Sequence, residues 1–201
     1  MTQNYIKPGY ITKDRWNNYW YQIDSLKRFR NAKTVLEIGP GNKVVNDMLK
    51  KLGFLAKSVD VDKSVSPDYI ASAEKIPVDD KSYDLVLAAE IIEHLPFEKV
   101  DEVLEEIKRI AKTGAVISLP HSGYTLSLGF KVPLIKWKFG ILKIPHFWRR
   151  KTSTEEHFWE LGLRNYPVRK FKKILKKAGF KIINNFIGHD DPSHIFFVLE
   201  L

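Results

Sequence analysis

The sequence predicts a single α/β domain built on a doubly wound, mostly parallel sheet, and three observations support this. Short apolar runs typical of buried strands alternate with amphipathic helical patterns along the chain. One such run, residues 34–38, leads directly into the turn Gly39-Pro40-Gly41 and then into a helical pattern. Of the 201 residues, 44% are hydrophobic and 12% aromatic, which is enough for a substantial core.

The N-terminal part is predicted to be a helical cap, residues 1–30, in which one amphipathic helix spans residues 12–30. Thr12 is the expected N-cap residue. The aromatic weight of this helix would suit either packing on the sheet or a cover over a ligand pocket. The predicted apolar stripe consists of Trp16, Tyr19, Trp20, Ile23 and Leu26.

The remaining elements follow in order with short connections. A helix is predicted over residues 97–112, ended by Gly114, and a basic helix over residues 168–178. Strands are predicted at residues 34–38, 55–61, 69–71, 82–90, 115–119, 181–188 and 195–201.

The glycine turn after the first strand is a candidate nucleotide-binding corner. Gly39 and Gly41 allow a sharp turn and a closer ligand approach than any Cβ permits. The dinucleotide fingerprint requires a third glycine where Val44 stands, so that fingerprint fails. Glu37, at the strand end, would repel a pyrophosphate but suits a cationic ligand.

Three motifs carry a resemblance to a known family. The run Glu37-Ile38-Gly39-Pro40-Gly41 resembles motif I of the class I S-adenosylmethionine-dependent methyltransferases (methyltransferase domain 11-like), with Lys43 at the place of that motif's last glycine. Residues 72–78 resemble the family's adenine-binding loop, with Ser72 in place of the usual acid. Residues 82–96 closely resemble the motif around its fourth strand, which is the most specific match.

The resemblance implies a Rossmann-like class I methyltransferase fold, a mostly parallel seven-stranded sheet whose last strand is antiparallel. It also implies S-adenosylmethionine as cofactor and S-adenosylhomocysteine as product. Residues 33–119 match the family well, whereas the two ends of the chain match poorly.

Asp60 is the predicted ribose-binding acid. It lies 21 residues beyond Gly39, close to the ~20 expected for a carboxylate that accepts hydrogen bonds from both ribose hydroxyls. Asp62 competes, but the family pattern places an apolar residue directly after the acid, as Val61 is. By the same resemblance Glu37 anchors the methionyl end and residues 72–74 border the adenine. The predicted cofactor-binding residues are Glu37, Gly39, Gly41, Asp60, Val61, Ser72, Ala73, Glu74 and Glu90.

A general base, if the acceptor needs one, is sought among the histidines because their pKa suits proton removal near neutral pH. His121 is the first candidate since it directly follows the fifth strand, and His94 and His157 come next. A structural role is the alternative for each. Glu90, Glu93 and His94 resemble metal ligands but lack the i, i+4 histidine pair of a zinc helix, so no metal is expected.

Positive charge is concentrated in the C-terminal half. Residues 131–181 hold 15 Lys/Arg and 3 Asp/Glu, a net charge of +12, and the rest of the chain carries −3. This asymmetry indicates an anionic partner, although a solvated basic face is the alternative. Residues 120–167 are predicted to be a substrate-side insert or lid, apolar and aromatic but interrupted by Lys131, Lys136, Lys138 and Lys143. They would either pack on the domain or lie on an anionic membrane.

These features together predict a methyltransferase acting on a small-molecule or lipid-linked anionic acceptor. The alternatives are an RNA methyltransferase that uses the basic region, and a non-catalytic cofactor-binding or membrane-attached scaffold. RNA is the less favoured partner because the chain lacks the Asn/Asp-Pro-Pro-Tyr/Phe signature of base-amino methylation. The absence of cysteine excludes disulfides and a cysteine nucleophile. The N-terminus has no signal pattern, so a cytoplasmic protein is expected, with peripheral contact at the inner membrane face.

Overall fold

The computed structural model describes residues 9–134 and 137–201. The helices are α1 (Lys13–Leu26), α2 (Val44–Lys51), α3 (Val100–Ile110) and α4 (Val168–Lys177). The strands are β1 (Thr34–Ile38), β2 (Leu55–Asp60), β3 (Tyr69–Ile70), β4 (Tyr83–Ala89), β5 (Ala111–Pro120), β6 (Gly123–Phe130), β7 (Lys138–Pro145), β8 (Lys181–Ile187) and β9 (His194–Glu200).

Seven strands form one twisted sheet in the order β3-β2-β1-β4-β5-β9-β8. The first five of these pair in parallel, whereas β9 runs antiparallel to both β5 and β8. The predicted fold class, including the antiparallel last strand, is therefore confirmed.

Helices cover both faces of the sheet because the central strands are apolar on both sides. In β4, Leu85 and Leu87 belong to the core beneath α1 and α2, while Val86 and Ala88 belong to the core beneath α3 and α4. This two-residue alternation is that of a strand buried on both faces. Trp159, from the segment before α4, is fully buried in the second of these cores.

The buried face of α1 differs from the predicted one. Thr12 does cap the helix, since its hydroxyl accepts a hydrogen bond from Arg15 N at 3.3 Å. The predicted apolar stripe is wrong for Trp16 and Trp20, which are 48% and 52% exposed. The helix instead buries polar residues, and Asn18 Nδ2 donates to Asp191 Oδ2 at 3.0 Å. This hydrogen bond joins α1 to the loop before β9, a contact that no apolar pattern reveals.

Gly114 does not end a helix, which corrects the prediction. A 3₁₀ turn at Phe97–Lys99 precedes α3, which ends at Ile110, and β5 begins at Ala111. Gly114 lies within β5, where a Cβ would stand 2.1 Å from Leu199 O of β9. The glycine is therefore needed for close pairing of these two strands.

The insert after β5 forms a separate two-stranded hairpin, β6 and β7, in which Gly123 pairs with Pro145. Packing of its apolar residues on the domain, one of the two predicted alternatives, is partial: Phe139 stacks on His189 with ring centroids 3.6 Å apart. The apolar side chains that stay 45% or more exposed are Tyr124, Leu126, Leu128, Phe130, Leu134, Trp137, Phe139, Leu142 and Ile144. Polar contacts hold the hairpin, with Ser127 Oγ donating to His189 O at 3.0 Å and Lys143 Nζ to Pro192 O at 2.7 Å. Lys136 lies outside the described residues. Every helix in the described part of the chain is too short or too polar to traverse a bilayer.

Candidate active site

The carboxyl ends of β1, β2 and β4 bring the predicted cofactor residues to one edge of the sheet. Ile38 pairs in register with Val59 of β2 and with Ala88 of β4, so the chain positions just beyond them meet there. Gly39 N also donates to Val59 O at 2.9 Å. In parallel α/β sheets, ligands bind in the crevice outside these strand ends.

The glycine turn has the backbone that its sequence indicates. Gly39 and Gly41 have φ of +70° and +49°, the left-handed region that favours glycine. A Cβ on Gly39 would lie 1.9 Å from Cδ1 of Ile91, so a larger residue would force the Ile91 side chain to move and would strain the backbone at this φ. Lys43, which stands where motif I has its last glycine, adopts φ +62° directly before α2. The lysine therefore retains a backbone conformation that glycine adopts more readily.

Glu37 is a buried carboxylate at the base of the turn. It is 4% exposed, and its Oε2 has no hydrogen-bond partner among the described residues. Burial raises the pKa of Glu37 to about 7, partly offset by Asn46. A cationic ligand group in the crevice would stabilise the ionised form.

Asp60 and Asp62 differ in what they already bind. Asp62 Oδ1 accepts from Ser64 N at 2.9 Å and from Ser64 Oγ at 2.7 Å, and thus caps a short 3₁₀ turn. In the described part of the chain, Asp60 Oδ1 accepts a hydrogen bond from Asp62 N at 2.9 Å. Burial raises the pKa of Asp60. Val61 is 69% exposed. Asp60 therefore has acceptor capacity left beside an uncovered apolar side chain.

In the predicted adenine-binding loop, Ser72 and Glu74 are alternative replacements for the family's usual acid, and the two residues contact each other. The Ser72 hydroxyl donates to the Glu74 carboxylate, and Ala73 between them is 9% exposed. Because the Ser72 hydroxyl donates this hydrogen bond, the lone pairs of its oxygen remain free to accept a hydrogen bond from a ligand. The two alternatives therefore form one polar unit.

Glu90, at the tip of β4, belongs to a polar network that sequence reasoning missed. Its backbone has φ +53°, and its Oε1 accepts from Ser118 Oγ at 2.6 Å. Its Oε2 lies 3.4 Å from Nε2 of His194, whose Nδ1 lies 2.5 Å from Asp191 Oδ1. Although burial opposes it, the two carboxylates raise the pKa of His194 to about 9. The only sequence signal here was a turn at Asp190-Asp191-Pro192, which points to no charge pairing.

The three candidate histidines fall into two places. His121 directly follows β5, is 5% exposed, and has no partner for either ring nitrogen in the described part of the structure. Burial, and secondarily Lys143, lowers the pKa of His121 to about 4, so its imidazole is neutral at pH 7. His94 and His157 lie together instead, with ring centroids 5.0 Å apart. Glu93 lies with them, and one ligand atom from each of these three residues falls within 4.8 Å of the others.

A cavity of about 420 Å³ lies elsewhere, among residues that include Thr34, Leu55 and Tyr83. These residues begin β1, β2 and β4. The cavity is thus at the amino-terminal edge of the sheet, opposite the strand tips, and it plays no part in the candidate site.

The sheet order and its antiparallel last strand are those of the class I methyltransferase fold. Residues 36–119 match the family model described as "Methyltransferase domain". These residues include all three motifs that resemble the class I S-adenosylmethionine-dependent methyltransferases. No curated protein sequence matches the chain.

Solved structures with low sequence identity share the fold. A SAM-dependent methyltransferase from Aquifex aeolicus is 19% identical, with a TM-score of 0.54, covering 89% of this chain and 88% of its own. The 1,6-didemethyltoxoflavin-N1-methyltransferase of Burkholderia thailandensis, solved with 1,6-didemethyltoxoflavin and S-adenosylhomocysteine, is 10% identical with a TM-score of 0.61, covering 94% and 81%. Magnesium protoporphyrin IX methyltransferase of Synechocystis PCC 6803, solved with bound SAM, is 12% identical with a TM-score of 0.61, covering 98% and 88%.

Proposed function

We propose that this chain transfers a methyl group from S-adenosylmethionine to a small-molecule or lipid-linked anionic acceptor at the surface of an anionic membrane. The observation that carries the proposal is the β6–β7 hairpin, which exposes apolar side chains together with lysines beside the strand tips. Apolar side chains with interspersed Lys are the composition of segments that lie in a membrane interface. Such a protein would work in the cytoplasm, at the inner membrane face.

The cofactor would lie across the strand tips. Glu37 would anchor the methionyl end through the surrounding hydrogen bonds, with Gly39 and Gly41 giving it room. Asp60 would bind the ribose, and Val61 would cover the adenine. Ser72, Ala73 and Glu74 would border the adenine. Glu90 would close the strand-tip side of the pocket.

Methyl transfer from a sulfonium is an in-line displacement, so the protein's main tasks are alignment and exclusion of water. His121 would act as general base toward an acceptor hydroxyl or amine. It follows β5 at the rim where an acceptor would lie, and its neutral imidazole can accept a hydrogen bond from the acceptor. Because its pKa is lowered to about 4, it is a weaker base than an ordinary histidine and suits an acceptor whose proton is already acidic. His94 and His157 are second candidates, but their Nδ1 atoms already have protein partners.

The acceptor class is supported by two kinds of observation. The Burkholderia and Synechocystis enzymes are named for small molecules, a toxoflavin precursor and a magnesium porphyrin. The net charge of +12 over residues 131–181 favours an anionic acceptor or surface.

Methyl transfer is tested with S-adenosylmethionine labelled in the methyl group, incubated with separate lipid, small-molecule and RNA extracts of cells. We expect label in the lipid or small-molecule fraction, and none with Asp60→Ala. Calorimetry with S-adenosylhomocysteine comes first. Absence of binding by the wild-type protein would favour the membrane-attached scaffold, because a cofactor-binding scaffold would still bind this ligand.

Membrane contact is tested by flotation with anionic vesicles. The double variant Trp137→Ser/Trp148→Ser removes two exposed aromatics from the hairpin region, and Trp16→Ser/Trp20→Ser is a matched control on α1. We expect the first variant to stay at the bottom of the gradient and the control to float with the wild type. Equal flotation of all three proteins would remove the membrane from the proposal.

RNA is the second candidate because α4 exposes a row of basic side chains: Arg169, Lys170, Lys173, Lys176 and Lys177. Binding through phosphates would weaken steeply with added salt. Label in the RNA fraction, together with such a salt dependence, would favour this candidate over the lipid or small molecule.

A further inference from the structure

Glu93 is a buried carboxylate that lacks a protein partner. It is 0% exposed, and neither of its carboxylate oxygens has a hydrogen-bond partner in the described ranges 9–134 and 137–201. Its surroundings add negative charge, because the carboxylates of Glu90 and Glu160 interact with it. A buried carboxylate without a partner is costly, and a bound cation is one way to satisfy it.

Two imidazoles lie against this carboxylate with their ring nitrogens assigned by hydrogen bonds. His94 Nδ1 lies 3.1 Å from Glu156 O, and a carbonyl oxygen can only accept, so this nitrogen carries the proton. His157 Nδ1 lies 2.9 Å from Glu160 Oε1, which likewise accepts. In both rings the lone pair is therefore left on Nε2. A carboxylate or carbonyl behind Nδ1 is the outer-shell arrangement that orients metal-bound histidines.

The segments that carry these side chains are held together by their backbones. Phe158 N donates to Glu93 O at 2.9 Å. Trp159 is fully buried, and its Nε1 donates to Leu95 O at 3.1 Å. Its ring meets that of Phe97 edge to face, with ring centroids 5.0 Å apart. The three side chains are thus brought together by the fold before any ligand binds.

We propose that Glu93, His94 and His157 form a binding site for a divalent transition metal, best suited to Zn²⁺. Two imidazole nitrogens and one carboxylate are a donor set that Zn²⁺ accepts, with a fourth position open to water or another oxygen ligand. One ring nitrogen of each histidine and one carboxylate oxygen of Glu93 lie within 4.8 Å of one another. A side-chain adjustment that turns both Nε2 atoms toward the carboxylate would let one ion span this spacing. Glu160 acts as a positioning residue because it orients the ring of His157.

This proposal departs from the sequence prediction of no metal, which rested on the local spacing of Glu90, Glu93 and His94. The third ligand lies 64 residues beyond Glu93 in the chain, where local spacing cannot reveal it. The metal would sit just past the tip of β4, at the same edge of the sheet as the cofactor residues. If the proposed function holds, its open position would take an oxygen of the acceptor and lower that oxygen's pKa.

Metal binding is measured directly on the full chain, freed of any affinity tag, by titration with Co²⁺ as a visible-absorption probe and with Zn²⁺ in competition. We expect one Co²⁺ per chain, displaced by one Zn²⁺. Glu160→Gln changes only a partner of His157 and should weaken Co²⁺ binding by about 10- to 100-fold. The loss should be larger in the three ligand variants, Glu93→Gln, His94→Ala and His157→Ala. His189→Asn removes an imidazole outside the cluster and should bind Co²⁺ as the wild type does.

Each variant is checked by thermal unfolding and by S-adenosylhomocysteine calorimetry, so that loss of metal is not mistaken for loss of fold. Absence of Co²⁺ binding by the wild type, or equal binding by the folded ligand variants and the His189 control, would overturn the proposal. Failure of the proposed function would instead leave metal binding intact while labelled methyl enters no acceptor fraction.

Discussion

Nε2 of His194 lies 3.4 Å from Oε2 of Glu90, so the imidazole links β9 to the tip of β4 beside the candidate cofactor site. Its other nitrogen contacts Asp191 at 2.5 Å. The pKa of His194 is therefore raised from 6.5 to about 9. A histidine whose pKa is raised on folding contributes stability that is fully present below pH 6.5 and is lost as pH rises through about 9.

The free energy of unfolding should accordingly decrease between pH 7 and 9.5, by an amount on the order of 2 kcal/mol. His194→Gln should be less stable at pH 6.5 and should lose most of this pH dependence. Urea unfolding followed by circular dichroism at several pH values measures both effects. Curves for the two proteins that run parallel in pH would contradict the ion pair.

Asp60→Ala should weaken S-adenosylhomocysteine binding by about 100-fold or more, since each of the two hydrogen bonds that the carboxylate would accept from the ribose hydroxyls contributes roughly 1.5 to 3 kcal/mol. Calorimetry measures the change. Asp62→Asn is the matched control, because Asp62 already accepts from Ser64 and should contribute little to the ligand. If Asp62→Asn lost the affinity and Asp60→Ala kept it, the ribose assignment would move to Asp62.

Cofactor affinity should rise with pH through the pKa of Glu37, about 7. A cationic amino group favours the ionised carboxylate, so the competent fraction increases about eightfold between pH 6 and 7.5. Calorimetry in buffers of different ionisation enthalpy should detect the proton that Glu37 releases on binding. Glu37→Gln should bind more weakly and without this proton release. Identical pH profiles for both proteins would show that Glu37 does not sense the ligand.

Gly114→Ala should destabilise the fold by about 1 to 3 kcal/mol, because the new methyl group would stand 2.1 Å from Leu199 O and force β5 and β9 apart. Thermal unfolding measures the loss. Gly140→Ala in β7 is the control, since a Cβ there meets no atom within 4 Å and should change stability by less than about 0.5 kcal/mol. Equal melting temperatures for both variants would contradict the close pairing.

The sheet and the strand-tip acids are readable from the sequence because they depend on local patterns. The periodicities of the apolar residues predict the alternation of strands and helices. The spacing from Gly39 to Asp60 is that of one strand–helix–strand unit. Their meeting at one edge then follows from parallel pairing, which the register of Ile38 with Val59 confirms. The roles of the individual cofactor residues remain predictions.

Other features depend on contacts between distant segments, which no periodicity encodes. Trp16 and Trp20 are exposed while α1 buries Asn18, whose side chain donates to Asp191 in the loop before β9. The cluster of Glu93, His94 and His157 and the pairing of His194 with Glu90 arise in the same way. The predicted start of β5, residue 115, is wrong because Gly114 indicates a helix end locally but serves strand pairing in the folded chain, where β5 begins at Ala111.

The β6–β7 hairpin leaves and rejoins the domain at one point, since Gly123 and Pro145 are directly paired. Residues 124–144 could therefore be exchanged for a turn or for a hairpin of another length with little disturbance of the seven-stranded sheet. If the hairpin contacts the acceptor, as proposed above, cofactor binding and acceptor choice are encoded in separable stretches of the chain. Descendants of this gene could change what they methylate while leaving the donor crevice untouched.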